Sequence, residues 1–117
     1  MSITSRLMRM IRNGREGNNM GLTTGLKKLD KLTYGIQRSW LTVVAGGSGS
    51  GKSSFTLFSY VYQPLKLMLG DPRLKIIYFS FEMSQEVLMA KLLSMHILDR
   101  YKVRIRYSEI LSFGDKL

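Results

Sequence analysis

Apolar and polar positions alternate along this chain in blocks of distinct period. Leu7, Met8 and Ile11 fall on one side of a short predicted helix over residues 3–13, which Gly14 should stop. Gly17, Asn18, Asn19 and Gly21 continue a flexible polar stretch, so residues 14–21 read as a linker and the folded unit is expected from about Leu22. Leu26, Leu29 and Leu32 recur at helical spacing and predict a helix over 25–33. Residues 40–45 (WLTVVA) are apolar and rich in β-branched side chains, the pattern of a buried parallel strand. Residues 52–63 predict a helix with Phe55, Phe58 and Val61 inward, bent or interrupted at Pro64 before residues 65–69. Gly70, Asp71 and Pro72 make a turn, and residues 74–79 form a second apolar strand. Ser84 then caps a helix over 85–100, with Val87, Leu88, Leu92, Met95 and Leu98 as its buried stripe. Residues 103–107 suggest a further short strand and 108–113 a short helix.

The order strand, helix, strand, helix is one βαβ unit followed by a helix, with a right-handed parallel crossover expected. The predicted class is therefore α/β. Two strands are too few for a covered parallel sheet, so the expectation is an incomplete α/β domain, cut off before its sheet is finished. The expected organisation is a basic linker or helix over 1–20 and a partial domain over 21–117, without internal repeats or low-complexity segments.

Composition narrows the chemistry. A chain of 117 residues suits one modest domain, and 44% hydrophobic content supports a packed core rather than disorder. No apolar run reaches membrane-spanning length and no secretory leader is visible, so a cytoplasmic location without membrane association is expected. The absence of cysteine excludes disulfide scaffolds, cysteine nucleophiles and zinc–thiolate sites, and one histidine, His96, cannot build a multi-histidine centre. The net charge of +10, from 18 Lys and Arg against 8 Asp and Glu, favours polyanionic partners, nucleic acid among them. Arg6, Arg9, Arg12 and Arg15 group near the start, and Arg100, Lys102, Arg104 and Arg106 near the end. The plainer alternative is that both groups are solvated faces.

The sharpest chemical signal is Gly46-Gly47-Ser48-Gly49-Ser50-Gly51-Lys52-Ser53, which fits G-x-x-x-x-G-K-[ST] without mismatch. Glycines let the backbone fold tightly round phosphates and turn N–H groups inward, and the following helix adds its positive end. In that role Lys52 serves the β- and γ-phosphates, and the Ser53 hydroxyl ligates Mg²⁺, so ATP and Mg²⁺ are the expected cofactors. A predicted strand before the motif and a helix after it give the setting such a loop needs; the alternative is a Gly/Ser linker. Glu82, beyond the second predicted strand, would share a sheet edge with the loop and is a candidate catalytic base for the water attacking the γ-phosphate. The alternative for Glu82 is a helix-entry carboxylate, with Glu86 as its rival. His96, Trp40, Met83, Met95 and the tyrosines at 34, 60, 62 and 78 read as packing or surface residues.

Three segments in this order, Gly21-Leu22-Thr23-Thr24-Gly25-Leu26-Lys27-Lys28-Leu29-Asp30 with Thr33-Tyr34-Gly35, the loop at 46–53, and Tyr78-Phe79-Ser80-Phe81-Glu82-Met83, together resemble the ring-forming replicative DNA helicases of the DnaB type. The resemblance covers about residues 21–100. It implies the N-terminal part of a RecA-like P-loop ATPase domain, working in hexameric rings on single-stranded DNA, with a primase or other replisome protein as a further partner. By position it implies catalytic roles for Lys52 and Glu82, and it suggests a phage or similar replicon as source. The loop departs in being richer in glycine than many relatives and in carrying Ser53 where threonine is common. The family's Walker B strand, DNA-binding loops and arginine finger would lie beyond residue 117, so little or no unwinding is expected of these residues alone. The function this implies is the ATP-binding part of a replicative helicase. The alternatives are a RecA- or RadA-type recombinase ATPase and a non-catalytic nucleotide-binding regulatory fragment.

Overall fold

The computed structural model describes residues 2–17 and 19–112, which divide into two units, Met1–Lys52 and Ser53–Leu117. In the first unit the Ser2 hydroxyl accepts the Ser5 N–H, satisfying one of the unpaired donors at the start of helix α1, Ile3–Arg15. The helix passes through Gly14 and ends one residue later, with Arg12 and Arg15 in its last turn opposite the negative end of the dipole. Leu7, Met8 and Ile11 are all exposed.

Residues 21–36 hold the tightest packing of this unit. Helix α2, Lys27–Thr33, ends at Tyr34, which takes the left-handed conformation (φ 61°) and donates its N–H to Asp30 O at 2.8 Å. The chain then turns back through Gly35, so that Ile36 and Leu22 exchange N–H···O bonds of 2.7 and 3.3 Å in an antiparallel bridge. Gly21 and Gly35 are required here. A Cβ at Gly21 would stand 2.0 Å from Ile36 O, and one at Gly35 (φ 81°) 2.6 Å from Leu22 O. Beneath this turn Asp30 accepts bonds from the Thr23 hydroxyl, the Thr24 N–H (2.9 Å) and the Thr24 hydroxyl (2.7 Å), and Thr24 is fully buried. Burial by itself raises the Asp30 carboxyl, but the bonds from Thr23 and Thr24 outweigh it and hold the group below its ordinary range.

In the second unit a helical run starts as α3, Lys52–Thr56, passes through a π-helical stretch, Leu57–Tyr62, and ends as α4, Gln63–Leu67. Pro64 explains the change of register. It has no N–H to give, and its ring would crowd the carbonyl four residues back, so the preceding turn is widened and Gln63 N–H reaches Phe58 O, five residues away. Leu57, Ser59, Val61 and Tyr62 are buried along this run, whereas Phe55 and Phe58 are half-buried. Helix α5, Gln85–Tyr101, starts at Ser84, whose hydroxyl accepts the Val87 N–H, and closes at left-handed Lys102. It packs on the π-helical stretch and on α6, Tyr107–Ser112. The helix expected over 108–113 thus appears one residue early, with Phe113 outside the described residues.

The α/β expectation is overturned. Among the described residues the regular elements are all helical, and none is a strand. Residues 40–45 and 74–79 form no regular element, with Leu41 92%, Val43 79%, Ile77 79% and Phe79 81% exposed, and residues 103–106 likewise join no ladder. β-branched and aromatic side chains favour an extended backbone, but a strand exists only where a neighbour accepts and donates its backbone hydrogen bonds. No such ladder is formed here, so the incomplete RecA-like core predicted for residues 21–117 is not what the structure shows.

Candidate functional site

The loop Gly46, Gly47, Ser48, Gly49, Ser50, Gly51, Lys52 and Ser53 forms an open turn. Ser50 N–H donates to Gly47 O at 3.2 Å, and Gly49 and Gly51 take left-handed φ values of 75° and 92°. Residues 46–52 are exposed and Ser53, in α3, is half-buried. A Cβ at Gly47, Gly49 or Gly51 would meet nothing within 4 Å. At Gly49 and Gly51 glycine therefore serves backbone conformation, and at Gly47 neither a positive φ nor a close approach calls for it. Gly46 is the exception, since its Cβ would stand 2.5 Å from Ser50 Oγ and 3.3 Å from Lys52 Cγ.

The expected phosphate cradle is absent. Its geometry needs a buried strand leading into the loop and a helix leading out, so that inward N–H groups are held in place. The motif stands in the sequence and a helical run follows it, but residues 40–45 form no strand to hold the loop. The loop as folded does not fit ATP with Mg²⁺, and the ATP-binding, P-loop, RecA-like and hydrolase assignments are corrected accordingly. Among the described residues no group of three His, Asp or Glu side chains could hold a metal ion.

Glu82 lies in the second unit, exposed, within the bend at 81–83 that leads into α5. Ser80 shapes this bend, its hydroxyl accepting Met83 N–H at 3.0 Å and donating to Met83 O at 2.9 Å. Trp40 and Tyr34 are exposed, and Met83 and Met95 half-buried.

Two clusters stand in the second unit; the first was not singled out from sequence, and the second takes Arg104 and Arg106 from the basic group noted near the end of the chain. Tyr62 Oη donates to Asp99 Oδ2 at 2.8 Å, Lys66 Nζ lies 2.8 Å from the same oxygen, and His96 Nδ1 is 3.4 Å from Tyr62 Oη. Burial, with help from the bond to Asp99 and its charge, pushes the Tyr62 hydroxyl up to about 12. The hydrogen bond from Lys66, then that from Tyr62, holds Asp99 below the carboxylate range. The signal was present in the spacing: Tyr62 with Lys66, and His96 with Asp99, stand one turn apart on their helices. The second cluster is a cleft of about 410 Å³ between α5 and residues 104–108, with Lys91, Arg104 and Arg106 on its walls.

Residues 21–110 match the family described as DnaB-like helicase C terminal domain. The chain belongs to the DnaB-like helicase family. It is 40% identical over 78 residues to a probable replicative DNA helicase of Trieres chinensis, covering 67% of this chain and 16% of that protein. It is 34% identical to the replicative DNA helicase DnaB of Pasteurella multocida over 76% of this chain and 19% of the relative. The figure is also 34% for DnaB of Geobacillus stearothermophilus, over 69% and 17%. The chain thus spans less than a fifth of the length of these relatives. No solved structure matches it. Membership in the DnaB-like family agrees with the resemblance carried by residues 21–100, but the finer assignment does not stand. The match is to the C-terminal domain of the helicase, and the described residues, helical and without strands, replace the expected N-terminal part of a RecA-like ATPase domain. With it falls the reading of these residues as the part that couples ATP hydrolysis to translocation. Among the described residues no helix is long and apolar enough to cross a membrane.

Proposed function

We propose that this chain is a non-catalytic regulatory element of a DnaB-like replicative helicase, acting by association with helicase subunits rather than by turnover of its own. One observation carries the proposal. Residues 40–45 and 75–81 display Leu41, Val43, Ile77, Phe79 and Phe81 to solvent on backbone that forms no strand ladder. Exposed apolar side chains beside free backbone donors and acceptors suit pairing with another chain. Covering each such side chain is worth about 1.5–3 kcal/mol. Family membership supplies the partner class, a subunit of a DnaB-like helicase in an oligomeric ring, and the +10 charge favours contact with single-stranded DNA in such an assembly. A cytoplasmic setting, and a division into a basic segment over 1–20 and a domain from residue 21, belong to the same proposal. ATP turnover belongs to longer family members. It is in such a protein, with the rest of the domain present, that we assign phosphate contacts to residues 46–53 and catalysis to Lys52 and Glu82.

The test is an unwinding assay with a DnaB-like helicase from the same source, with and without purified chain. The expected result is a dose-dependent change of at least two-fold in unwinding rate and no nucleotide hydrolysis by the chain alone. Robust hydrolysis by the chain alone, or an unwinding rate indifferent to saturating chain, would rule the proposal out.

A further inference from the structure

We propose that the cleft between α5 and residues 104–108 is a binding site for a small molecule carrying two or more phosphate groups; this does not rest on the regulatory role proposed above. Lys91, Arg104 and Arg106 supply three positive charges, and no carboxylate lines the cleft. The backbone that carries the two arginines is tied down. Ser94 Oγ donates to Ile105 O, which fastens this segment to α5, and Arg104 and Arg106 flank that anchor. Both arginines line this one cleft, so their guanidiniums are within reach of a single ligand. Lys91 Nζ lies 4.9 Å from the ring centroid of Tyr107, which lines the same cleft.

Among the described residues neither arginine has an ion pair, although Arg73 and Lys66 in the same unit do. Three neighbouring cations repel one another, and a multiply charged anion removes that repulsion while a single monovalent ion does not. Guanidinium forks match phosphate oxygens two at a time, and the hydroxyls of Ser54 and Ser108 at the same cleft can donate further bonds. The volume lies within the range of small-ligand sites, below what a folded partner needs. Met95 and Leu98 add an apolar floor for the remainder of the molecule.

Calorimetric titration of the full chain with inorganic tripolyphosphate tests this site, using the chain itself, R104Q/R106Q and, as a control for net charge, K28A/K31A on α2. The substituted residues are exposed, and circular dichroism should show both variants folded. The expected result is saturable binding that weakens at least ten-fold in R104Q/R106Q and is unchanged in K28A/K31A. Four outcomes overturn the proposal: no binding, equal binding by R104Q/R106Q, an equal loss in K28A/K31A, which would make binding a matter of net charge, or binding of a single-stranded oligonucleotide without tripolyphosphate, which would make the cleft a nucleic-acid contact.

Discussion

Asp30 does more than any other single side chain to shape the first unit. It gathers three hydrogen bonds from Thr23 and Thr24 and so fixes the turn in which Gly21 and Gly35 allow Leu22 and Ile36 to meet. Replacing Asp30 with Ala should destabilise this unit by about 1–2 kcal/mol, because a buried threonine hydroxyl and an N–H lose their acceptor. Amide exchange at Thr24 checks the loss. The carboxyl is held below its ordinary value, so its contribution is complete above the unfolded pKa, near 3.8, and is lost as pH falls through the lower folded value. Thr24 exchange should therefore quicken in acid in the native chain and be flat over that range in Asp30→Ala. The segment 21–30 stood out in the sequence as part of a family resemblance; its physical reason, three bonds converging on one carboxylate, needed the fold, because it joins residues six and seven positions apart.

At the scale of elements, Tyr62 fastens the π-helical stretch to α5 through Asp99, with Lys66 on the same carboxylate. Spectrophotometric titration should find one tyrosine ionising at about 12, absent in Tyr62→Phe and shifted down toward 10 in Asp99→Asn. A raised tyrosine contributes stability that is complete below its unfolded value of 10.0 and is lost as pH rises through about 12, so this tether weakens only in strong alkali. The helices were legible where a local signal fixed them. Ser84 marked the start of α5, and the apolar spacing of Leu29 and Leu32 marked α2. The π register before Pro64 was legible only as a disturbance, since the ring constrains the turn without saying how it is relieved. The strands were misread for a different reason. Residues 40–45 and 74–79 carry the propensity of strands, but pairing is a property of two segments together, and one sequence window holds no information about whether its partner is in place. The loop at 46–53 was misread as a cradle with them, because its chemistry depends on the strand before it.

The whole molecule combines family membership in the helicases, a strongly basic surface and apolar extended segments that it leaves uncovered. Those features fit a chain that completes its structure on a helicase subunit. The most direct test is hydrogen exchange of the backbone amides in residues 41–45 and 75–81, measured on the chain alone and after addition of a DnaB-like helicase from the same source. The account predicts fast exchange at both segments in the isolated chain and protection of at least ten-fold on binding. Protection already present in the isolated chain would show the strands formed without a partner, and fast exchange in the presence of saturating helicase would show that no partner covers them; either contradicts the account.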